Sequence, residues 1–501
     1  MLTTPVIDRF HTGADNTADF ADLHLQPADI QDRVFIESEA KVAHDIADGF
    51  ADRDPDLAAR HGFRDWQKVG GAGVAAAVVI TAVLWPSVML LVLAGLTSLI
   101  ALMSLVAALA GLWYHICVRR RRDVPKLADE QLPSYTVLVP AYEEQEVIGD
   151  LIRCLADLDY PTERLEVLLL VERRDTATQR AILAADPPPH MRIVHLPPGK
   201  PQTKPRSCNA GLMMASGELL VIFDAEDRPE RGQLRHAAEK FAARGDDLAC
   251  LQATLLQANG PTNVFTRSNA LEYSLRYRLT VPGLAALGAA FPLGGTSNHF
   301  RTRILRELGG WDAWNVSEDA DLGMRCSALG YRTDVIDTIT YGEAPETFRS
   351  WLGQHTRWHK GYLLTALVHT REPLKTLRRF GPRGLLALLV TVLGTPLQLL
   401  LQPAVLALSA AELLGYHGFG GAVAVHPIVI AVLQLATIYV LLLVAVLACP
   451  GPRTCRLAAI PLYPVLHWIA GWRALDQLVR APFLWEKTSH RGHATNVGIG
   501  V

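Results

Sequence analysis

Acidic residues follow several short apolar runs in the middle of this 501-residue chain. Glu144 lies just after the first run, Glu172 ends the second, and Asp224, Glu226 and Asp227 follow the fourth. If these runs are strands of a parallel sheet, their carboxyl ends meet at one edge and bring the acids together. Carboxylates grouped in this way can hold a hard divalent cation, Mg²⁺ or Mn²⁺, that bridges a diphosphate. Each acid alone could instead cap a following helix.

Basic and small polar residues lie on either side of the last acidic group. Lys204, with Lys200 and Arg206 nearby, precedes that group, and a cationic loop there suits a phosphate-bearing substrate. The alternative is a solvated run of charge, which is common on protein surfaces. Gly295 and Thr296 belong to a Gly-Gly-Thr-Ser-Asn-His run, where glycines permit close backbone approach and polar groups can bond sugar hydroxyls. That run could also be only a turn.

Two later motifs supply a base and an aromatic surface. Glu318 and Asp319 follow a serine, and a carboxylate near a cleft can take the proton of an attacking hydroxyl group. Either acid could instead cap the helix that starts here. Gln354, Arg357 and Trp358 share one face of a predicted helix, where arginine can neutralise phosphate and tryptophan can stack on a sugar ring. An interfacial helix anchored by tryptophans is the alternative.

Five apolar runs predict the strands that must position these residues. The runs alternate with helical stretches between residues 123 and 379, which argues for a mostly parallel sheet with helices on both faces. The active site of such a sheet lies at the carboxyl ends of its strands. The clearest predicted strands are residues 135–139, 165–171, 191–195, 218–223 and 248–253.

The composition indicates a membrane protein. Half of the residues are hydrophobic and 20% are charged, which is too apolar for an ordinary soluble protein of this size. The net charge of -2 gives no reason to expect nucleic acid as a partner. The 7 cysteines are scattered without a Cys-x-x-Cys pair, so we expect neither a zinc site nor a disulfide framework, and the compartment is reducing. The first 65 residues are polar, so no signal peptide is expected.

Two apolar regions predict four membrane spans. Residues 70–117 contain no charge and as one helix would be roughly 70 Å long, so they must cross twice and turn near residues 85–87. The four arginines at 119–122 put that end in the cytoplasm. The third and fourth predicted spans are residues 384–411 and 423–448. Basic residues precede the third span and follow the fourth, including Arg453 and Arg456, which puts both of these ends in the cytoplasm. Both termini are then cytoplasmic.

The stretch at residues 457–478 is ambiguous. It is apolar at first but carries Arg473 and Asp476. We interpret it as an interfacial or re-entrant helix, with a fifth full span as the minority alternative.

The order of the motifs resembles that of the processive family 2 glycosyltransferases: cellulose, chitin and hyaluronan synthases and related bacterial exopolysaccharide synthases. The family's marks are a Pro-x-Tyr opening, an Asp-x-Asp-type acidic set, a Ser/Thr-Glu-Asp triplet and a Gln-x-x-Arg-Trp box. Here they stand at residues 140–142, 224–227, 317–319 and 354–358. The resemblance covers residues 135–358. It implies an α/β GT-A fold, a Rossmann-like mixed sheet flanked by transmembrane helices, and an inverting mechanism.

The resemblance also implies roles for individual residues. Asp319 would be the base that acts on the acceptor hydroxyl group. The metal, Mg²⁺ or Mn²⁺, would be held by Asp224, Glu226 and Asp227. The nucleotide-sugar donor would be bound by Ala141, Glu144, Glu172, Lys204, Asp224, Gln354 and Arg357. The glycan acceptor would meet Gly295, Thr296, Glu318 and Trp358, and a gating segment near the nucleotide would contain Trp485, Lys487 and Thr488.

The expected domain organisation follows from these assignments. The catalytic domain is placed in the cytoplasm and the spans in a bacterial inner membrane. A cytoplasmic N-terminal segment, helical and amphipathic, is taken as a packing or docking element rather than a separate binding module. The expected order is residues 1–66 (N-terminal segment), 67–118 (two spans), 123–345 (GT-A domain), 346–380 (interfacial helices with the box), 381–450 (two spans) and 451–501 (interfacial helix and C-terminal segment).

Several functions remain open at this stage. The first is a polymerase that extends a β-linked polysaccharide from a donor such as UDP-glucose and exports it, with lipid bilayer and accessory or export subunits as partners. The second adds a single sugar to a membrane lipid, and the length of the product separates the two. A catalytically dead receptor would have lost the acids that are present here, and a transporter would carry intramembrane acids and broken repeats.

Overall fold

The computed structural model describes residues 27–118, 125–414, 425–448 and 463–488. The arginines at 119–122, Arg453, Arg456 and the tail from residue 489 onward, which entered the predicted orientation and gating segment, lie outside these residues. The described strands are β1 (Tyr135–Ala141), β2 (Leu165–Glu172), β3 (Met191–Leu196), β4 (Leu219–Ile222), β5 (Arg228–Pro229), β6 (Leu248–Gln257), β7 (Asn298–Arg301) and β8 (Arg332–Gly342).

The helices lie before, between and after these strands. They are α1 (Pro27–Arg53), α2 (Asp65–Leu84), α3 (Pro86–Trp113), α4 (Ile148–Ala156), α5 (Thr176–Ala184), α6 (Lys204–Met214), α7 (Gln233–Ala242), α8 (Val264–Ser274), α9 (Val281–Ala286), α10 (Thr302–Glu307), α11 (Glu318–Ala328), α12 (Phe348–His369), α13 (Pro373–Ala387), α14 (Gly394–Leu413), α15 (Val425–Ala448) and α16 (Tyr463–Arg480). Short π-helical turns extend α3, α8 and α13 at Tyr114–Val118, Leu275–Thr280 and Leu388–Leu393.

One mixed eight-stranded sheet organises the catalytic domain, with the strand order β3-β2-β1-β4-β7-β6-β8-β5. The strands β3, β2, β1 and β4 are parallel, as predicted, and β6 is parallel to β8. The short strand β7 runs antiparallel to both β4 and β6, so the sheet is mixed rather than wholly parallel. All five predicted strands are present, and the last of them runs on to Gln257.

The sheet is buried on both faces, and strands β1 and β4 are apolar at nearly every position. In β1, Val137 and Val139 pack with α4 and α7 on one face, whereas Leu138 packs with α6 on the other. A fully buried strand of this kind has its polar residues only after its carboxyl end. The functional side chains therefore collect along one edge of the sheet.

Three helical segments are long and apolar enough to cross a membrane: Asp65–Leu84, Pro86–Cys117 and Gly384–Ala411. The first two are separated at Trp85, where the backbone leaves the helical conformation before Pro86 (φ -137°, ψ 64°). A residue before proline is biased away from helix, so the predicted turn at residues 85–87 has a local cause. A shorter apolar stretch, Val432–Leu447, lies within α15.

Helix α16 packs against α12 and α14. Its buried residues include Leu466, Ala470 and Leu478. Its polar residues are paired, Arg473 with Glu486 at 2.6 Å and Asp476 with Arg480 at 2.8 Å.

The segment before α2 is attached to the catalytic domain by polar contacts. The side chain of Asn209 donates a hydrogen bond to the carbonyl oxygen of Ile46 at 3.0 Å. The indole nitrogen of Trp314 donates to Asp48 at 2.7 Å. Arg371 donates to the carbonyl oxygen of Gly62 at 2.6 Å. These contacts connect the segment to the elements that carry the acidic motifs.

Candidate active site

Three carboxylates lie on the loop after β4. Asp227 is 3% exposed, and it accepts hydrogen bonds from the backbone nitrogen of Asp224 at 2.7 Å and from the hydroxyl group of Thr296. Asp227 therefore holds the loop in shape, while Asp224 and Glu226 lie half-buried beside it. Burial, and then the charge of Asp224, raise the pKa of Glu226 to about 8 and that of Asp227 well above its ordinary value.

Lys204 places a cation against this acidic loop. It is the first residue of α6, and its ammonium group donates to the Asp224 carboxylate and, at 2.7 Å, to the carbonyl oxygen of Gly295. Burial opposes the charged form, but the Asp224 carboxylate overcomes it and raises the pKa of Lys204 above its usual range. A Cβ atom at position 295 would lie 3.6 Å from Asp319 Oδ2. The Gly295 backbone therefore lies next to both the Lys204 ammonium group and the carboxylate of Asp319, the proposed base.

Glu318 and Asp319 lie in the first turn of α11, the helix that the sequence predicted to start here. The backbone nitrogen of Ala320 donates to Asp319 Oδ1 at 2.8 Å, so the helix amino terminus orients this carboxylate. Burial raises the pKa of Asp319, and the nearby guanidinium of Arg276 opposes that rise. Burial and the Asp319 charge raise the pKa of Glu318 to about 8.

A glycine allows α12 to lie directly against this acidic turn. A Cβ atom at Gly361 would lie 2.2 Å from Ser317 Oγ and 2.7 Å from the backbone nitrogen of Ser317. Contacts this short do not occur between real atoms, so any side chain here would force the two elements apart. The Ser317 hydroxyl donates to the carbonyl oxygen of Trp358 at 3.4 Å. The distance between the two motifs thus depends on Gly361.

Helix α12 presents the predicted set of Gln354, Arg357 and Trp358 to the cleft. Gln354 accepts a hydrogen bond from Asn269 at 3.4 Å. The Trp358 ring lies 6.2 Å from that of Tyr273, at an interplanar angle of 44°. Asn269 and Tyr273 thus help to hold the Gln354 amide and the Trp358 ring in position.

The residues after α16 cover the mouth of the cleft. The guanidinium of Arg357 lies over the Trp485 ring, 4.3 Å from its centroid. The ammonium of Lys487 donates to the carbonyl oxygens of Tyr142 and, at 2.9 Å, Glu143. Its distance to Glu144 Oε1 is 3.3 Å. The segment from Trp485 to Thr488 thus bridges the arginine of α12 and the loop after β1.

Two ionic groups, the buried Lys360 and the half-buried pair of Arg473 and Glu486, hold that covering segment in place. Lys360 is fully buried and donates to Gln477 at 3.2 Å and to the carbonyl oxygens of Ala481 at 3.1 Å and Leu484 at 2.8 Å. Burial lowers the pKa of Lys360 to about 8. Glu486 accepts two hydrogen bonds from Arg473, at 2.8 and 2.6 Å. Such bidentate pairs fix orientation as well as position.

The opposite end of the cleft lies beside β2. Glu172 is paired with the buried Arg206 at 3.0 Å, and burial raises the pKa of Glu172 despite that partner. Ala141, the last residue of β1, is 4% exposed and does not line the cleft. It is the one predicted donor-binding residue whose side chain the structure does not bring to the site.

A single cleft of about 330 Å³ collects the other predicted residues. Buried polar atoms that have no hydrogen-bond partner within the described chain include Gln257 Oε1, Arg357 Nε and Thr488 Oγ1, all on residues that line this cleft. Buried polar groups are normally satisfied, so these favour a polar ligand. The predicted residues that line the cleft are Glu144, Glu172, Lys204, Asp224, Glu226, Asp227, Gly295, Thr296, Glu318, Asp319, Gln354, Arg357, Trp358, Trp485, Lys487 and Thr488.

The sequence did not indicate two further basic residues. Arg276 lines the cleft, with its guanidinium 5.5 Å from the ring centre of Tyr277 and 5.6 Å from that of Tyr362. It lies on an irregular π-helical turn, where no periodic pattern predicts which way a side chain points. Lys360 lies two residues after the box, but its partners belong to residues 477–484, and only the tertiary structure brings them to it.

The oxygen-rich loop after β4 fits a divalent cation. Asp224 and Glu226 offer carboxylate oxygens, which Mg²⁺ and Mn²⁺ prefer. Burial is the main cause of the raised pKa of Glu226, and the charges of Asp224 and Glu343 add to it, so a cation beside these carboxylates would favour the ionised form. Asp227 already accepts hydrogen bonds from the loop, which leaves it less available than the other two.

Comparison with known proteins finds a matching family model, similar sequences and similar solved structures. Residues 133–361 match the family model described as "Glycosyltransferase like family 2". "Probable glycosyltransferase YdaM" of Bacillus subtilis (strain 168) is 25% identical over 264 residues, which are 52% of this chain and 62% of that protein. "Glucomannan 4-beta-mannosyltransferase 1" of Oryza sativa subsp. japonica is 26% identical over 249 residues, 48% of this chain and 47% of that protein.

A third relative has a different kind of name. "Beta-monoglucosyldiacylglycerol synthase" of Synechocystis sp. (strain ATCC 27184 / PCC 6803 / Kazusa) is 26% identical over 237 residues, 46% of this chain and 48% of that protein. The chain thus spans about half the length of most of the curated relatives that it matches.

One similar solved structure is "Mannosyltransferase PcManGT from Pyrobaculum calidifontis in complex with GDP-Man and Mn2+". It superposes with a TM-score of 0.50 and 18% sequence identity, over 76% of this chain and 99% of that chain. At this identity the comparison shows the fold, which is GT-A as the sequence predicted.

Proposed function

We propose that this chain, whose residues 133–361 match the family model of glycosyltransferase family 2, transfers a sugar from a nucleotide diphosphate donor to a growing β-linked glycan at a membrane. The observation that carries the proposal is one cleft in which the acids after β4, Asp319 and the Arg357–Trp358 pair meet. Three helical segments that could cross a membrane lie beside that domain. The catalytic domain is proposed to be cytoplasmic, where nucleotide sugars are available.

The chemistry follows from the charges around the cleft. Asp319 takes the proton of the acceptor hydroxyl group, whose oxygen then attacks the anomeric carbon of the donor sugar. The bond from that carbon to the phosphate oxygen breaks, and the electron pair leaves with the nucleoside diphosphate. Attack opposite the leaving group inverts the anomeric centre. Lys204 and Arg357 place positive charge where the diphosphate develops negative charge.

A divalent cation fits the same scheme. Asp224 and Glu226 would hold Mg²⁺ or Mn²⁺, which supplies positive charge to the leaving diphosphate when it is bound. Asp227 would act mainly by keeping the loop in its present shape, through its bond with the Asp224 backbone.

The names of the relatives guide the choice of donor and acceptor. By its resemblance to cellulose and hyaluronan synthases, the chain is first expected to use UDP-glucose. The glucomannan mannosyltransferase relative makes a nucleotide-linked mannose the second donor to test. The glucosyldiacylglycerol synthase relative supports the alternative of a single transfer to a membrane lipid. Export of the product through the membrane helices, with or without accessory subunits, belongs to the polymerase proposal alone.

The test uses membranes that contain the full chain, a radiolabelled donor and Mg²⁺ or Mn²⁺. We expect label in long, ethanol-insoluble chains that a β-glycosidase digests. Label that is extracted only into organic solvent would instead establish the lipid transferase. If no donor in a panel of UDP-, GDP- and other nucleotide sugars yields either product, the proposed function is wrong.

The first prediction concerns the aromatic surface of α12. Trp358→Ala should lower the use of acceptor roughly tenfold, because the ring offers stacking area to a sugar. Hydrolysis of the donor by water should change by less than about twofold, since no acceptor ring is involved. Trp358→Phe, which keeps a ring, is the matched control and should recover most of the loss. Equal loss of transfer and hydrolysis in Trp358→Ala would contradict the stacking role.

The second prediction concerns the buried cation behind the covering segment. Lys360→Met keeps the stem but removes three hydrogen bonds from a charged group, two of them to the chain just before Trp485. We expect the KM for the donor to rise roughly tenfold, because the segment no longer holds its place over the cleft. Lys375→Met, at a side chain that is 55% exposed, is the control. An unchanged donor KM in Lys360→Met would show that the segment is held by other contacts.

A further inference from the structure

A second group of metal-binding side chains lies behind the cleft, on three separate helices. Glu272 of α8, His355 of α12 and His467 of α16 place one ligand atom each within 4.8 Å of one another. Both histidines are buried, and the Glu272 side chain is 17% exposed. None of these residues belongs to the acidic loop after β4. Imidazole nitrogens and a carboxylate together differ from the all-oxygen set there.

The hydrogen bonds of His355 fix which of its ring nitrogens carries the proton. Nδ1 lies 2.9 Å from the carbonyl oxygen of Trp351, which can only accept, so Nδ1 must donate. In the neutral ring, Nε2 then has a lone pair, and that lone pair points at Glu272 Oε2 at 2.7 Å. Two acceptors cannot approach this closely unless a positive species lies between them.

His467 brings a third acceptor to the same place. Its Nδ1 lies 3.4 Å from His359 Nε2, so one of the two rings donates to the other. When His467 is the donor, its Nε2 has a free lone pair, 3.6 Å from Glu272 Oε2. Within the described residues this buried nitrogen has no hydrogen-bond partner. In this tautomer of His467, two imidazole lone pairs and one carboxylate oxygen converge.

The rings are held in this arrangement before any ligand binds. The Trp351 ring stacks on His355 with centroids 3.9 Å apart and lies edge-on to His467 at 5.2 Å. Tyr463 packs on the other side of His467 at 4.3 Å. Ligand histidines typically donate their second nitrogen to a carbonyl group, as His355 does, and this outer contact fixes the tautomer.

We propose that Glu272, His355 and His467 bind a divalent transition-metal ion, with Zn²⁺ as the favoured occupant. Two imidazoles and one carboxylate are a ligand set that zinc uses in proteins, whereas Mg²⁺ and Mn²⁺ favour oxygen. Tetrahedral zinc with nitrogen ligands at about 2.0 Å separates neighbouring ligand atoms by roughly 3.3 Å. The 3.6 Å pair is near that value, and the 2.7 Å pair opens slightly to admit the ion.

The position of this site gives it a structural function. His355 lies between Gln354 and Arg357 on α12, and α16 leads directly into the segment that covers the cleft. An ion shared by α8, α12 and α16 would fasten that segment to the helix that carries Arg357. Glu272 also lines the cleft, which gives the ion a route of entry.

The test measures metal content and needs no transferase activity. The untagged full-length protein in detergent is stripped with a chelator, incubated with Zn²⁺ and passed through a desalting column without nucleotide, before elemental analysis. We expect about one zinc per chain in the wild type and in His195→Asn, an exposed histidine on β3. Glu272→Gln and His467→Gln should each lower the retained zinc at least fivefold.

A second measurement uses only the wild-type protein, because a buried substitution can prevent folding. Cobalt added to the stripped protein should give the visible absorption of a four-coordinate ion with nitrogen ligands, and one equivalent of zinc should abolish it. If the wild type retains neither ion, a proton alone joins His355 to Glu272 and the proposal is wrong. Retention of zinc by folded Glu272→Gln and His467→Gln at the wild-type level would equally overturn it.

Discussion

Asp319→Asn should lower sugar transfer by roughly 10³-fold while donor binding stays within about threefold of the wild type. The amide keeps the size of the side chain and can still accept from the Ala320 backbone, but it cannot take a proton from the acceptor. Burial raises the pKa of the Asp319 carboxyl, which makes its carboxylate a better base than an ordinary aspartate. The acceptor oxygen would therefore stay protonated in the variant, and the anomeric carbon would not be attacked.

Two measurements on the same preparation separate these effects. Transfer is followed as label in product, and donor binding by calorimetry in the presence of Mn²⁺. Asp246→Asn, in an exposed turn where the aspartate side chain is 91% exposed, is the control for loss of one carboxylate. Near-normal turnover in Asp319→Asn would remove this residue as the base and direct attention to Glu318.

Gly361→Ala should lower kcat roughly 100-fold, although position 361 touches neither donor nor acceptor. The added methyl carbon would stand 2.2 Å from Ser317 Oγ, so α12 and the turn that carries Asp319 must separate. Arg357 and Trp358 would move with α12, while the base would stay with α11. A shift of a few tenths of an ångström to one ångström between reacting groups is enough for a loss of this size.

Gly353→Ala is the matched control because it makes the same change on the same helix. A Cβ atom there would lie 3.7 Å or more from Glu486, which is ordinary van der Waals contact. We expect its kcat within about threefold of the wild type. Thermal unfolding of both variants shows whether the protein still folds. If Gly361→Ala and Gly353→Ala have the same kcat, the close contact with Ser317 does not set the geometry of the site.

Much of the fold follows from local patterns in the sequence. The strands were predictable because fully buried strands are short, continuous apolar runs, and the turn at Trp85 because a proline follows it. The antiparallel strand β7 was missed because its four residues, Asn298–Arg301, are mostly polar and give no apolar signal. Its place between β4 and β6 is determined by tertiary pairing.

The cleft was predictable to the extent that its residues lie at strand ends or in compact motifs. Asp224, Asp319 and Arg357 belong to such motifs, and the structure collects them. The sequence did not reveal that Asp227 binds the backbone of its own loop, because its position depends on where the fold places the Thr296 hydroxyl group.

The histidine cluster shows a different limit of sequence patterns. The absence of paired cysteines led us to expect no zinc site. His355 and His467 are distant in the chain and form no spaced pair, so only the packing of α16 on α12 brings them together.

The docking of residues 485–488 also means that the cleft is completed late during translation of the chain. These residues come after the three candidate membrane segments of the described residues, yet they contact the loop after β1, near the start of the domain that carries the sheet. A nascent polypeptide that has not been translated to this point has an uncovered cleft, with Arg357 lacking Trp485. The segment from Trp485 to Thr488 can therefore complete the cleft only after the preceding helices have left the ribosome.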